Sequence, residues 1–266
     1  MKKVMLLCLL FVCGSANAAY WQFFNNSSGD TLWCNPANWD NAEVPTIANT
    51  DYAAGMCYGS TTMLKVDCYA ECRNMITGVW GAENNMEITE NGYLYLSNEA
   101  GDSGLFSIGE GTTEAGALNT VTNNGGTIYL AGQMFIGGSS GGGNGSYVQN
   151  AGSFTSGWRV WVSAADDIQL NGGTMTAGTV QVDATGLVDF SGGDMYFGGY
   201  SPEDGAALVQ SYILDGRMTA YDGTGIVKYA FDEDPAVWKM HVWGVVPEPA
   251  TMGLLALGGL LLRRRK

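Results

Sequence analysis

Short runs with apolar side chains at every second position fill the middle of the chain. Residues 93–96, 159–162 and 179–182 are three such runs. Because successive side chains of a strand point to opposite faces, each run predicts a strand with one apolar face. Glycine, asparagine and aspartate between the runs favour tight turns. No part of this region shows a sustained helical period with capping residues, so the pattern predicts an all-β body.

The runs recur along the chain. Residues 168–178 realign with residues 188–198 and with residues 147–157. In each copy a glycine is followed two positions later by an apolar residue. Such a period is typical of stacked repeats, each of which pairs with its neighbours. The sequence therefore predicts a right-handed parallel β-solenoid (a β-helix) over residues 80–245, and an antiparallel β-sandwich is the alternative.

The recurring glycine also predicts which side chains stack. If the glycines are equivalent turn positions, the apolar residues two places on form one interior ladder, with neighbours about 4.8 Å apart. The longest interval contains the glycine-rich residues 137–145, which we interpret as a loop insertion. The predicted ladder consists of Ile128, Phe154, Met175, Met195 and Met218.

The N-terminus has the features of an export signal. Two lysines precede an apolar run, and small residues follow it. This order is typical of a secretory signal peptide with a short helix, here residues 1–18. A lipoprotein signal acylated at Cys13 is the alternative, but Val12 stands where such a signal needs a small residue. The predicted cleavage-site residues are Ala16, Ala18 and Ala19.

The C-terminus combines a proline-containing motif, an apolar segment and a basic tail. The apolar segment, residues 250–262, would span roughly 20 Å as a helix, whereas the hydrocarbon core of a bilayer is about 30 Å thick. The basic cluster after it is expected to stay on the cytoplasmic side and to stop transfer. The motif residues are Val246, Pro247, Glu248 and Pro249, and the basic cluster is Arg263, Arg264, Arg265 and Lys266.

These three parts, in this order over residues 246–266, resemble the PEP-CTERM sorting signal of exported bacterial proteins. The resemblance implies an exosortase-type membrane protease as a partner, with the C-terminal segment in the membrane before processing. It also implies a final location at the cell surface or outside the cell. A segment destined for removal does not need the length of a permanent anchor. Retention of the segment as an anchor is the alternative.

Four cysteines remain after the signal peptide, all within one short stretch. An even number of cysteines in an exported protein predicts two disulfides, with three possible connectivities. A zinc site is the alternative, but no histidine lies nearby. The disulfide candidates are Cys34, Cys57, Cys68 and Cys72.

Residues 19–79 form a tryptophan- and cysteine-rich region before the repeats. Their characteristic residues are Trp33, Asn38-Trp39, Val44-Pro45 and Asp51. These residues and their intervals resemble the opening of bacterial repeat-rich passenger proteins, such as autotransporters, and of PEP-CTERM proteins. We predict that this region caps the open first coil, because an unpaired strand edge promotes aggregation. The alternative is that Trp21, Trp33 or Trp39 stacks on a sugar.

The charge of the body excludes one class of partner. Residues 20–246 carry 25 acidic and six basic side chains, a net charge of −19. Nucleic-acid binding needs a basic surface, so nucleic acid is not an expected partner. An acidic surface is able to attract Ca²⁺, but the simpler expectation is a solvated surface without a cofactor or metal.

The sequence contains no recognised catalytic motif. The only histidine, His241, lies close to the C-terminal motif, and the cations of the repeats are isolated. A polysaccharide lyase or hydrolase is the alternative to a non-enzyme, since such enzymes use carboxylates and a nearby base. The acidic residues that neighbouring coils are expected to bring together are Asp183, Asp189 and Asp194, and also residues 232–234.

Export, acidity and repeats together predict the kind of function. We expect a structural or adhesive protein of the cell surface or extracellular matrix, associated with extracellular polysaccharide and without enzymatic activity. Carbohydrate binding is the other alternative, which an exposed aromatic platform would favour.

Overall fold

In the part of the chain that the structure describes, the fold is mostly β, with one α-helix and one large sheet whose pairings are mostly parallel. A computed structural model describes residues 21–49, 52–55, 63–78, 84–98, 100–101, 103–110, 118–138, 143–232 and 239–246. Its helices are a short 3₁₀ turn, Pro36–Asn38, and α1, Pro202–Leu214. The strands are β1 (Trp21–Phe23), β2 (Tyr52–Gly55), β3 (Met63–Val66), β4 (Tyr69–Cys72), β5 (Asn74–Thr77), β6 (Asn85–Ile88), β7 (Tyr93–Leu96), β8 (Leu105–Ile108), β9 (Asn119–Leu130), β10 (Gln133–Ile136), β11 (Gly145–Val162), β12 (Asp167–Leu170), β13 (Thr174–Val182), β14 (Leu187–Phe190), β15 (Asp194–Phe197), β16 (Met218–Ala220), β17 (Ile226–Asp232) and β18 (Lys239–Val245).

The strands form three parallel ladders, in which each strand pairs with the strand one repeat later. The first ladder consists of β3, β6, the start of β9, the start of β11, β12, β14 and β16. The second consists of β4, β7, the end of β9, the middle of β11, the start of β13 and β15. The third consists of β1, β2, β5, β8, β10 and the ends of β11 and β13. This parallel pairing excludes the antiparallel sandwich. The ladders lie on both sides of the predicted boundary between residues 79 and 80, because β3, β4 and β5 before it pair with strands that follow it.

The predicted interior ladder is present for four of its five members. These four are buried and occupy consecutive places in the second ladder: Ile128, Phe154, Met175 and Met195. The prediction for Met218 is wrong, because this buried residue pairs with Val188 in the first ladder. The reason is helix α1, which follows β15 and returns the chain to the first ladder. Val242 of the antiparallel strand β18 lies beside Met195 instead.

Glycine recurs where successive turns touch each other. Gly152 and Gly173 have φ angles of 75° and 70°, in the region that favours glycine. A Cβ atom at Gly152 would lie 2.1 Å from the carbonyl oxygen of Gly126, and one at Gly173 would lie 2.3 Å from that of Gly152. The stacked turns therefore require glycine at both positions. Gly216 has a different role, since it follows helix α1 and nothing lies close to its Cβ position.

Asparagine side chains connect the turns between the first and second ladders. Asn171 Nδ2 donates to Asn150 Oδ1 at 2.9 Å, and Asn150 Nδ2 donates to Asn124 Oδ1 at 2.8 Å. The row ends at Glu87, whose Oε1 accepts from Asn124 Nδ2 at 2.8 Å. Because the two inner amides each donate to one neighbour and accept from the other, the row helps to hold the turns in register.

Helix α1 corrects the all-β expectation. Ser201 is its N-cap, with Oγ accepting from Asp204 N at 3.1 Å, and Pro202 begins the first turn. The buried residues of the helix are Gly205, Val209 and Tyr212. These three buried residues are too few to give a sustained helical period in the sequence. The pattern of apolar residues therefore does not predict the helix.

The C-terminal end of the ladders is covered by helix α1 and a hairpin. β17 and β18 pair antiparallel, and β18 also pairs antiparallel with β15. On the third ladder, Val182 N donates to the Tyr212 hydroxyl at 3.3 Å. Arg217 Nη1 donates to the carbonyl oxygen of Val182 at 2.8 Å. Backbone groups on the last strand of that ladder therefore bond to side chains of the cover.

The N-terminal end is covered by the tryptophan-rich segment. Leu32 forms a parallel bridge with Lys65, and Trp33 N donates to the Lys65 carbonyl oxygen at 2.8 Å. Trp33 and Trp39 are buried and pack edge to face, with ring centroids 4.8 Å apart. These contacts cover the open edge of β3. The alternative of sugar stacking by Trp33 or Trp39 is wrong, because neither ring is accessible.

Candidate functional site

The two terminal signals lie almost wholly outside the described residues. Of the C-terminal motif, only Val246 is described; it follows β18 directly and is 61% exposed. Within the part of the chain that the structure covers, no helix has the length and apolar character needed to cross a membrane. The predicted residues outside the described ranges are Ala16, Ala18 and Ala19 of the signal peptide, Pro247, Glu248 and Pro249 of the motif, and Arg263, Arg264, Arg265 and Lys266 of the basic cluster.

One predicted disulfide is present. Cys34 and Cys68 are bonded, with their Cα atoms 6.6 Å apart, and the bond ties the N-terminal cover to the residue before β4. This pairing removes two of the four thiolates that a zinc site would use. Cys72 is buried, and its Sγ lies 3.4 Å from the Asn74 carbonyl oxygen. Cys57 lies outside the described residues, so the second disulfide stays a prediction.

Four tyrosines form two stacked pairs on the outer face of the second ladder. Tyr69 and Tyr93 have ring centroids 5.4 Å apart at an interplanar angle of 19°. Tyr95 and Tyr129 have centroids 5.3 Å apart at 15°. Both pairs join residues that face each other in register across neighbouring strands. Tyr69 is 60% exposed and Tyr93 is 37% exposed, so the face presents aromatic surface to solvent.

A carboxylate accompanies the tyrosines at the N-terminal end of this face. The Tyr69 hydroxyl donates to Glu71 Oε2 at 3.1 Å. Burial raises the pKa of the Tyr69 phenol above its usual value, and the hydrogen bond to Glu71 adds to the effect. The phenol therefore stays protonated at neutral pH and acts as a hydrogen-bond donor.

Hydroxyl side chains occupy the next two strands of the same face. We name this area the hydroxyl trough, because small side chains here follow the bulkier Tyr129. Ser153 Oγ donates to Thr127 Oγ1 at 3.4 Å on the preceding strand. The trough consists of Ser153 and Thr155 on β11 and Thr174 and Thr176 on β13, which are aligned in register.

A second aromatic group bounds the trough on its far side. Tyr196 on β15 follows Thr176 in register. Its ring stacks on His241, with centroids 4.4 Å apart, and His241 stacks on Trp243 at the same distance. His241 Nε2 lies 2.7 Å from Asp194 Oδ1, within hydrogen-bond distance. The strands of the trough therefore lie between Tyr129 and Tyr196.

A cation–aromatic cluster lies on the third ladder. The Arg159 guanidinium carbon lies 4.9 Å from the ring centroid of Trp161 and 5.4 Å from that of Phe135. Arg159 Nη2 also donates to Gln133 Oε1 at 3.1 Å. Trp161 Nε1 donates to Asp183 Oδ2 at 3.0 Å. Hydrogen bonds and ring contacts hold Arg159 and Trp161 within the cluster, and the buried Arg159 Nε has no hydrogen-bond partner among the described residues. The contacts indicate a structural role for the cluster.

An open cavity of about 500 Å³ lies beside this cluster. Its lining includes Gln181, Asp183 and Arg217. Arg217 forms an ion pair with Asp215, stacks on the Tyr212 ring at 4.4 Å and bonds to the Val182 carbonyl. The Arg217 guanidinium is therefore already bonded to groups that cover the last strands of the ladders.

The acidic residues expected to cluster are separated. Asp189 lies on the first ladder, where it accepts from Thr219 Oγ1 at 2.6 Å. Asp194 lies on the second ladder, and Asp183 follows the third. Among the described residues, no three His, Cys, Asp or Glu side chains are grouped so that they could hold a metal ion. Residues 233 and 234 lie outside these residues.

Sequence analysis missed the tyrosine pairs because of their spacing. Tyr95 and Tyr129 face each other although the recurring interval elsewhere is much shorter. The segment between them departs from the repeat, so the sequence alone could not align the two residues. The sequence does contain one indication of an aromatic face. In Tyr93–Leu96, tyrosine and leucine alternate, so two tyrosines share the outer face of one strand.

Comparisons with known proteins identify the C-terminal segment. Residues 245–266 match the family model described as the PEP-CTERM protein-sorting motif. Neither the curated proteins nor the solved structures contain a significant match to the chain. The match covers the same segment whose motif, apolar run and basic tail carry the resemblance found in the sequence. The chain is therefore an exported protein that carries a PEP-CTERM motif and is sorted to the cell surface by an exosortase.

Proposed function

We propose that the chain winds as a right-handed β-solenoid and serves as a structural or adhesive component of the cell surface or extracellular matrix. Its partner there is an extracellular polysaccharide, and its role requires neither catalysis nor a cofactor. The observation that carries the proposal is the set of three in-register parallel ladders with covers at both ends.

The ladders support a structural role because they repeat the same surface positions at a regular spacing. Each outward position of one strand is followed by its counterpart about 4.8 Å away on the next strand. The covers leave the faces available for contact and block edge-to-edge pairing with other chains. A protein of this kind presents rows of side chains, which suits adhesion to a repetitive polymer.

The proposal is tested in cells that produce the chain with an intact sorting segment. Wild-type protein should be recovered in the surface and matrix fractions, and cells that lack the gene should form a weaker matrix. Reintroduction of the wild-type gene should restore the matrix. Normal matrix in the absence of the gene, together with protein that is found only in the culture fluid, would contradict the structural role.

Carbohydrate binding is the second candidate function, and the tyrosine pairs favour it. They provide the exposed aromatic surface that distinguishes a binding protein from a passive structural one. A lyase or hydrolase is less well supported, because Asp183, Asp189 and Asp194 lie on or after different ladders.

A further inference from the structure

We propose that the hydroxyl trough binds a neutral polysaccharide of hexopyranose units, held between the rings of Tyr129 and Tyr196. The proposal deepens the proposed function, on which it rests for the source of the polysaccharide. It assigns the contact to one face of the second ladder and to named side chains.

The orientation of the two rings suits a ligand between them. Tyr129 is stacked on Tyr95 on the side away from the trough, so its other side is directed toward the strand that carries Thr155. Tyr196 is stacked on His241 on its own far side, and its other side is directed toward Thr176. One ring face on each side of the trough therefore has only small neighbours in register. Flat aromatic faces suit the apolar faces of sugar rings.

The chemistry of the trough floor matches that of a sugar chain. Each of the four floor residues carries a hydroxyl group that is able both to donate and to accept a hydrogen bond. Sugar hydroxyls have the same dual capacity, so donors and acceptors can be matched in either chain direction. Thr174 is exposed and the other three residues are half-buried, which leaves the hydroxyl groups within reach of a ligand.

The charge of this face favours a neutral chain. From β4 to β15, the outward positions of the second ladder carry the carboxylates Glu71 and Asp194, but no lysine or arginine. A polyuronate or sulfated chain would meet like charge on these strands, and the lysines that continue the face, Lys228 and Lys239, lie beyond Tyr196 on the hairpin. A neutral chain meets no such repulsion, and carboxylates are able to accept hydrogen bonds from its hydroxyl groups. The charge of the face therefore selects a neutral polysaccharide.

The space between the two rings is also suitable for a polysaccharide. Tyr129 and Tyr196 are separated by three strand spacings, or about 14 Å. This distance leaves room for sugar rings against both aromatic faces and above the hydroxyl floor. The tyrosine pairs before the trough extend the aromatic surface in the same direction, along the axis of the ladder.

The test uses the mature exported protein and three soluble polysaccharides. Dextran and galactomannan are the neutral probes, and alginate is the anionic probe, each in affinity electrophoresis and titration calorimetry. We expect at least one neutral probe to bind and alginate to bind more weakly. Tyr129→Ala and Tyr196→Ala should each weaken binding by about tenfold, because each removes one stacking ring. Tyr129→Phe should bind like the wild type, since the ring remains.

Trp158→Ala is the matched control. Trp158 is an aromatic residue that is 58% exposed and lies after the β11 part of the second ladder, outside the trough. Its removal should leave binding unchanged, and unfolding curves of all variants verify that they fold. Three outcomes would overturn the proposal: no binding of either neutral probe, stronger binding of alginate, or Tyr129→Ala and Tyr196→Ala variants that bind like the wild type.

A second copy of the chain is the competing occupant of this face. Sedimentation of the wild type and of Tyr129→Ala distinguishes it, because a self-association that the variant abolishes would refute the polysaccharide proposal. Failure of these binding tests is also distinguishable from failure of the proposed function. Protein that fails to bind the probes but still lies in the matrix fraction would refute only the binding site.

Discussion

At the scale of single residues, Asp166 has an unusual environment. Its side chain is buried near the glycine-rich turn, and Oδ1 accepts from Gly145 N at 2.6 Å. Among the described residues, none donates to Oδ2. Burial raises the pKa of this carboxyl from 3.8 to about 6, because the charged form is poorly solvated.

The raised pKa predicts that Asp166→Asn stabilises the protein most at pH 7 to 8, with a gain that becomes smaller as the pH falls from 6 toward 4. A folded-state pKa above the unfolded value means that the native protein binds more protons between about pH 4 and 6, so the stabilising effect of protonation is lost as the pH rises through 6. The gain at pH 7.5 should be about 1–2 kcal/mol. Urea unfolding from pH 4 to 8 measures it, with the exposed Asp40 as the control position in the variant Asp40→Asn. A variant whose stability tracks the wild type at every pH would refute the prediction, and stabilisation of the wild type alone by Ca²⁺ would indicate a bound cation instead.

Met175 tests the packing of the second ladder. It lies between Phe154 and Met195 and has no exposed surface. Met175→Ala should lower the free energy of unfolding by about 2–5 kcal/mol, because it leaves a cavity among side chains that cannot collapse fully. The neighbouring Thr174 points outward, so Thr174→Ser should change stability by only about 0.5 kcal/mol. Urea denaturation of the two variants compares the faces directly, and equal losses would contradict the alternation.

At the scale of elements, helix α1 depends on its cap. Ser201→Ala removes the oxygen that accepts from Asp204 N and should cost about 1 kcal/mol of stability. Ser211→Ala is the matched control, because Ser211 Oγ bonds to the Leu208 carbonyl within the helix and caps nothing. Thermal unfolding should separate the two variants. Similar melting temperatures would mean that the helix does not stabilise the end of the ladders.

The Cys34–Cys68 bond predicts the state of the other two cysteines. With these residues joined, exported protein should contain a second disulfide between Cys57 and Cys72, which non-reducing peptide mapping would detect. Replacing Cys34 and Cys68 together with serine should cost about 2–5 kcal/mol, since the bond restricts the unfolded chain. Free thiols at both Cys57 and Cys72 would disprove the second pairing.

The elements also show what the sequence could and could not predict. The inner ladder from Ile128 to Met195 was predictable, because Gly152 and Gly173 are required by touching turns and mark the register. Helix α1 was not predictable from periodicity, since few of its residues face the ladders. The aromatic sides of the trough were also missed. Where the interval between two strands departs from the repeat, their register is set by backbone pairing. The local sequence pattern does not reveal this pairing.

At the scale of the whole molecule, the sorting segment determines where the cell delivers the protein. Replacing Pro247, Glu248 and Pro249 with alanine should leave export intact but block processing, because the recognition motif is lost. Mass spectrometry of the C-terminus of surface protein gives the result. Wild-type surface protein that still contains residues 263–266 would contradict cleavage and favour retention as an anchor.

The two covers have a further consequence for the length of the molecule. Because Trp33 and Leu32 seal one end and helix α1 with its hairpin seals the other, growth is possible only between them. Duplicating residues 168–187 would add one strand to each of the three ladders while both covers keep their contacts. Evolution is thus able to lengthen the three ladders in steps of about 4.8 Å by copying internal segments of the gene, with each addition extending the outer face of each ladder by one row of side chains.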